Sequence, residues 1–132
     1  MKSTLITGAT GNIGKAVLRH LAQAPEVYTA QRTLRPGDPR QRLFDLTQPA
    51  TLPTALEGMR TVFLLRPPQL ADVPRYFGPF MRAALEAGVR HIVFLSVQGA
   101  EHVSFIPHAK IEKLIRESGI AYTFVRPGYF MD

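Results

Sequence analysis

The sequence predicts an α/β fold, a doubly wound parallel sheet of about six strands flanked by helices. Three observations carry that prediction. Short apolar runs alternate with amphipathic stretches along the whole chain, and glycines at 8, 11 and 14 stand where the first run gives way to the first amphipathic stretch. The length, 132 residues, suits one domain with a single core.

Taken in order, Ser3–Thr7 is an apolar strand running into Gly8. Asn12–Ala22 follows as a helix, because Ile13, Val17 and Leu21 recur at four-residue spacing and Pro25 lies just beyond. Val27–Gln31 and Arg42–Phe44 read as the second and third strands, with Arg35–Pro39 a surface loop between them. Thr51–Leu56 is a short helix closed by Gly58, and Thr61–Leu65 is a strongly apolar fourth strand. Asp72 can cap the next helix and Pro74 suits its first turn. Gly78-Pro79 falls inside that pattern. A proline there lacks a donor and crowds the preceding turn, so the helix is expected to break and restart at Pro79. Pro79–Ala87 then turns Phe80, Met81, Ala84 and Leu85 inward. His91–Val97 is the fifth strand, and Pro107–Ser118 is a helix with Ile111, Leu114 and Ile115 inward. Tyr122–Arg126 is the sixth strand, stopped by Pro127-Gly128. Parallel pairing with right-handed crossovers gives a Rossmann-type arrangement over residues 1–132.

Composition removes several chemistries. The chain has no cysteine, so disulfides, thiolate metal sites and a cysteine nucleophile are out. His102 and His108 match no common metal spacing, and no metal is expected. No apolar run approaches the roughly 18–20 residues of a membrane span, and the first residues lack a signal-peptide pattern. A cytoplasmic protein is expected, with no membrane partner. The net charge is +6, and Arg32, Arg35, Arg40 and Arg42 form its one local cluster. Charge alone argues weakly for nucleic acid. A phosphate-bearing small molecule accounts for the cluster at least as well.

The stretch Thr7-Gly8-Ala9-Thr10-Gly11-Asn12-Ile13-Gly14 carries the strongest chemical signal. A bare GxxGxxG is weak, but here it follows a strand and opens an amphipathic helix, the context in which such a loop wraps a dinucleotide pyrophosphate. Gly8 permits a sharp turn off the strand, Gly11 lets backbone approach the phosphates, and Gly14 lets the helix lie close on the sheet. The helix start adds free N–H groups and the positive end of its dipole. Gly8, Ala9, Thr10, Gly11, Asn12, Ile13 and Gly14 are therefore the expected pyrophosphate-binding residues.

Arg32 directly follows strand two, where an NAD-specific protein places an acidic residue on the ribose hydroxyls. No acidic residue lies between Tyr28 and Gly37. The planar fork of Arg32 suits a 2′-phosphate, with Arg35 assisting. NADP(H) is thus the preferred coenzyme, with NAD(H) as the alternative. Leu65 and Arg66 leave strand four at its carboxyl end, where open α/β sheets bind ligands. Backbone there is expected to skirt the nicotinamide ribose; Arg66 reads equally as an exposed arginine.

With TGATGNIG at the start, and LSVQGAE, PHAKIEKLIRESG and YTFVRPGYFMD further on, the chain resembles the NmrA-like group of atypical short-chain dehydrogenase/reductases. The resemblance covers essentially all of it, with four motifs in order. It implies an NAD(P)H-dependent oxidoreductase acting on a quinone-like or other small carbonyl substrate. The alternative it implies is a non-catalytic NADP(H)-sensing regulator with a protein partner. It also implies a substrate-closing C-terminal region, so a chain stopping at Asp132 reads as truncated before that lobe.

The same resemblance places Asp45 and Leu46 beside the adenine ring; a helix cap is the competing role for Asp45. It places Ser96 near the substrate carbonyl, against a hydroxyl that satisfies local backbone. Tyrosine-dependent members of the superfamily use Tyr-x-x-x-Lys, in which the lysine lowers the tyrosine pKa. That pair is missing here: Ile106 stands four before Lys110, and Ala109 four before Lys113. His108 falls near the vacant position, and its ordinary pKa suits proton transfer. Lys110 and Lys113 offer ribose or carboxamide contacts, although each also fits an exposed helix face. Ser96, His108 and Lys110 are the candidate catalytic residues. Tyr129, Phe130 and Met131 read as pocket lining by likeness, or as an apolar tail that drives association into a homodimer.

Overall fold

The computed structural model describes residues 3–8, 26–67, 69–97 and 106–126. Its sheet runs in the order β3-β2-β1-β4-β5-β6. The strands are β1 Ser3–Ile6, β2 Val27–Gln31 and β3 Gln41–Leu43, then β4 Met59–Leu64, β5 His91–Leu95 and β6 Ala121–Val125. Every neighbouring pair is parallel. This is the Rossmann strand order. The chain builds β2 and β3 on one side of β1, then crosses back to build β4, β5 and β6 on the other.

Val62, Leu64, Ile92 and Phe94 alternate with less buried neighbours and, with Leu5, share one core with three helices. These are α1 Leu52–Leu56, entered through a 3-10 turn Pro49–Thr51, α2 Val73–Ala87 and α3 Pro107–Ser118. They lie side by side, α1 on α2 and α2 on α3. Leu52, Leu56, Phe77, Phe80, Ile111 and Ile115 are their inward side chains, each at most 1% exposed. Burial of each contributes on the order of 1.5–3 kcal/mol. Ile6 is fully buried yet outside that core, so it belongs to the opposite face of the sheet. The helix expected over 12–22 lies outside the described residues.

Two expectations need correction. The helix expected to restart at Pro79 instead runs unbroken through it, from Val73 to Ala87. Pro79 offers no N–H to the carbonyl of Arg75, a defect of about 3 kcal/mol in a helix interior. Both ends are nevertheless pinned. Asp72 Oδ1 accepts from the Arg75 backbone N–H at 3.3 Å, and Gly88, at φ 79°, closes the helix while Val89 N–H donates to the Ala84 carbonyl at 3.0 Å. Between the ends, Phe77, Phe80, Met81 and Ala84 are buried, and that apolar stripe outweighs the lost bond. The second correction is Leu85, expected inward but 51% exposed. At 100° per residue it sits about 90° from the centre of the buried stripe. Strand ends differ by a residue or two: β4 begins at Met59 rather than Thr61, and β5 ends at Leu95 rather than Val97.

Gly78 gives a stability test. Beyond its chain neighbours and the helix's own backbone, a Cβ added there would meet nothing nearer than Arg82 Nη1 at 3.7 Å, an ordinary contact. Helix propensity would favour Gly78→Ala by about 0.5–1 kcal/mol, but a Cβ directly before Pro79 crowds the proline Cδ in helical backbone, so the change is expected not to stabilise the protein. Urea denaturation measures it, and a midpoint clearly above the parent's would contradict the crowding at Pro79. No helix among the described residues is long and apolar enough to cross a membrane.

Candidate functional site

β1 and β4 stay paired as far as Ile6 and Phe63 and then part. Thr7, 5% exposed, spans the parting. Its N–H donates to the Phe63 carbonyl at 2.9 Å and its Oγ1 donates to the same carbonyl at 3.1 Å. That Oγ1 also accepts from Leu65 N–H at 2.8 Å. One small hydroxyl thus ties the two strands together at the point where strand order reverses, the place where open α/β sheets bind ligands. Gly8 comes next, at φ 69°. A Cβ there would lie 2.4 Å from Leu65 Cδ1. Any L side chain would be strained in this left-handed conformation and would push Leu65 out of place.

Beyond these strand ends lies a cavity of about 770 Å3, with Gly8, Arg32, Asp45, Leu46, Leu65 and Arg66 among its walls. These residues come from the ends of four different strands. The structure brings them to one surface. Ala9, Thr10, Gly11, Asn12, Ile13 and Gly14 lie outside the described residues. Such a volume falls within the roughly 300–1,000 Å3 usual for small-molecule and cofactor sites.

The donor set fits a phosphorylated dinucleotide. Bare backbone stands at Gly8, Leu46 and Leu65 offer apolar wall, and the exposed Arg32 and Arg35 offer positive charge. Among the described residues no ion pair engages either guanidinium. The loop that carries them is ordered from within. Arg35 N–H donates to Gln41 Oε1 at 2.7 Å, while Asp38 accepts from Arg40 N–H at 2.9 Å and from Gln41 Nε2 at 3.3 Å. The acid nearest these arginines in sequence is therefore occupied in shaping the loop. Asp45 Oδ1 accepts from both the N–H and the hydroxyl of Thr47, at 2.9 Å and 2.6 Å. Its own N–H donates to Thr51 Oγ1 at 3.0 Å. That closes a turn and fixes the carboxylate at the cavity edge.

Ser96 and His108 lie at a different place, around β5, β6 and α3, and Lys110, about 200° round the helix from His108, is not brought to them. Arg66 links the two regions. Its Nη1 donates to the Leu70 carbonyl at 3.1 Å, and its charge reaches His108. The imidazole of His108 stacks on Phe94, ring centres 5.9 Å apart. Burial, then the Arg66 charge, lowers its pKa, while the Glu112 carboxylate works to raise it. The net direction is down, so His108 is neutral at pH 7 and can accept a proton or donate one N–H. Ser96 is 3% exposed, at the end of β5. Lys110 is exposed on α3.

The sequence places Glu112 on one helix face with His108, Ile111 and Ile115, but sequence reasoning assigned no role to two residues of the candidate site. One is Thr7. The other is Glu112, 1% exposed, on the sheet-facing side of α3. Arg126 grips it at both oxygens, Nε to Oε2 at 3.0 Å and Nη2 to Oε1 at 2.6 Å, and Arg116 Nη1 reaches Oε1 at 3.5 Å. Ser96 faces the same carboxylate. Burial pushes the Glu112 pKa up, but the hydrogen bonds from Arg126 and the charges of Arg126 and Arg116 prevail and hold it below the usual carboxylate value. A signal did exist: an acid four residues after His108 and three before Ile115 sits within the inward stripe of the helix.

Residues 8–132 match the family described as NAD(P)H-binding. The chain belongs to that family. Among its relatives, the NAD(P)H azoreductase of Xenophilus azovorans is 34% identical over 96% of this chain and 48% of its own length. An NmrA-like family domain-containing oxidoreductase of Aspergillus flavus is 29% identical over 97% of this chain and 48% of its own. The structure of an NADPH-dependent quinone oxidoreductase from Escherichia coli with NADPH superposes with a TM-score of 0.81, at 26% identity, over 96% of this chain and 49% of that one. The chain thus spans about half the length of the curated relatives it matches. The cavity at the carboxyl ends of β1, β2, β3 and β4 is where a member of the NAD(P)H-binding family needs room for its coenzyme.

Proposed function

We propose that the chain is the coenzyme-binding part of an NADPH-dependent reductase of quinone-like or other small conjugated acceptors. The observation that carries this reading is the cavity itself, with side-chain-free backbone at Gly8 where β1 and β4 part and unpaired positive charge at Arg32 after β2. The names of the azo and quinone reductases among its relatives support the choice of acceptor. Bound NADPH would supply the hydride. The chain's own residues would do the rest. Gly8 and the glycine loop through Gly14 would seat the pyrophosphate, and Arg32 with Arg35 would hold the 2′-phosphate. Asp45 and Leu46 would flank the adenine, Leu65 and Arg66 the nicotinamide ribose. Neutral His108 would donate a hydrogen bond to the acceptor oxygen, with Ser96 and Lys110 as the further candidate catalytic residues.

The finer parts of the reading are a cytoplasmic protein, a small-molecule substrate and preference for NADP(H) over NAD(H). A sensing regulator is the second reading, favoured by one observation. No tyrosine stands four residues before Lys110 or Lys113, where Ile106 and Ala109 occur. The two readings share binding and part at turnover. Fluorescence titration with NADPH and NADH, followed by NADPH oxidation with a naphthoquinone and with an azo dye, separates them. Turnover supports the reductase. Tight binding with no oxidation by any acceptor, in this chain and in a form extended beyond Asp132, supports the sensor.

A further inference from the structure

The carboxylate of Glu112 is an unusual side chain to bury. Removing an ion pair from water costs several kcal/mol, and well-packed apolar residues of similar volume usually serve stability as well or better. What an ion pair adds is fixed geometry. Here that geometry joins three elements in a closed circuit of contacts. Glu112 on α3 holds Arg126 just after β6 through two bonds, and Arg116 on α3 through a third. Both guanidinium groups lie over the ring of Phe124 in β6, at 5.6 Å and 5.9 Å from its centre. Phe124 meets Phe94 of β5 edge-on at 6.3 Å, and Phe94 carries the stacked imidazole of His108 at 5.9 Å. His108 lies one helical turn before Glu112, which closes the circuit. Ser96, at the end of β5, faces the same carboxylate.

We propose that Glu112, clamped by Arg126, is a positioning residue that holds His108 and Ser96 in place for the reaction. This rests on the reductase reading above and adds to it a role for a residue that does not touch the coenzyme cavity. Two consequences follow. Removing the carboxylate should disturb turnover while leaving coenzyme affinity alone, because the coenzyme cavity is built from the ends of β1, β2, β3 and β4. It should also move the titration of His108 downward. That imidazole is faced, among the described residues, by Arg66 from the end of β4 and by Glu112 from α3, and only the carboxylate favours its charged form.

Three forms of the full chain test the clamp: the parent, Glu112→Gln, and the double variant Glu112→Met with Arg126→Met. The double variant removes both charges together, so it is expected to keep the fold even where the single variant weakens it. NADPH affinity should stay within about twofold in both variants. Turnover per bound coenzyme should fall on the order of tenfold to a hundredfold, the usual penalty for reacting groups held out of line. The His108 ring signals in an NMR pH titration should report a lower pKa in both. Restored turnover in the double variant would overturn the proposal, because the pair would then be mere packing. So would an unmoved His108 titration in either variant, or a loss of NADPH affinity in step with turnover. A parent that binds NADPH and oxidises none with any acceptor is a separate outcome. It removes the reductase reading, and the catalytic role of the clamp with it.

Discussion

Arg126→Ala is expected to destabilise the protein by about 3 kcal/mol at neutral pH, toward the size seen when one partner of a buried pair is removed. For a chain of this length that is a fall in Tm of roughly 10 °C. The partner left behind decides the size. Glu112 is 1% exposed, and without Arg126 its nearest remaining cation is Arg116 at 3.5 Å, on a side chain that is 45% exposed. The reverse change leaves a guanidinium that is 31% exposed and can turn to water, so Glu112→Gln is expected to cost less. The pH dependence gives the signature. In the parent, the folded-state pKa of Glu112 is depressed below its ordinary 4.5. Its contribution is therefore complete above about that pH and is lost as pH falls through the lower, folded value. In Arg126→Ala burial dominates and the folded pKa rises, so the variant loses stability as pH rises from the unfolded value. The gap in Tm should be widest near neutrality and narrow on acidification. His108 acts on both proteins alike. Its lowered folded pKa gives stability that is complete above its ordinary 6.5 and declines as pH falls below it. Thermal melts at several pH values check this, and a gap that widens in acid would refute it.

The contrast between Glu112 and Gly8 explains how much of the molecule the sequence discloses. The fold is legible because its signals are local: alternating apolar residues in β4 and β5, an i, i+3, i+4 stripe in α2, and glycine or proline at the ends. Pro79 misleads because a local rule about proline competes with the burial of Phe77 and Phe80, a tertiary effect that no window of sequence contains. Leu85 misleads because it lies at the edge of its stripe, where a few tens of degrees separate core from solvent. The cavity half of the candidate site is legible for the same reason as the fold. In a parallel sheet every strand presents its carboxyl end to one edge, so Gly8, Arg32, Asp45 and Leu65 can be placed by finding where strands stop. The other half is not. The bond from Glu112 to Arg126 spans 14 residues and the approach of Arg66 to His108 spans more. Both depend on how α3 is rotated against the sheet.

Reversing the charge of Arg32 is expected to invert coenzyme preference. In Arg32→Asp the NADPH Kd should rise about 100-fold, while NADH binding should hold or improve. Arg32 stands at the carboxyl end of β2, where a carboxylate would accept from both ribose hydroxyls and would repel a 2′-phosphate. A charge-assisted contact to phosphate is worth about 1.5–3 kcal/mol, and each 1.4 kcal/mol is tenfold in affinity. Arg35 limits the loss, since its backbone is tied to Gln41 and its side chain remains beside the site. Arg32→Ala should therefore fall between the parent and the aspartate, and Arg32→Ala with Arg35→Ala should approach the aspartate for NADPH. Salt offers an independent reading. Because both arginines are exposed, the parent's preference for NADPH should shrink as ionic strength rises, whereas NADH binding should scarcely respond. A ratio of NADPH to NADH affinity that survives Arg32→Asp unchanged would mean that the 2′-phosphate is held elsewhere, and the basic cluster after β2 would then need another explanation.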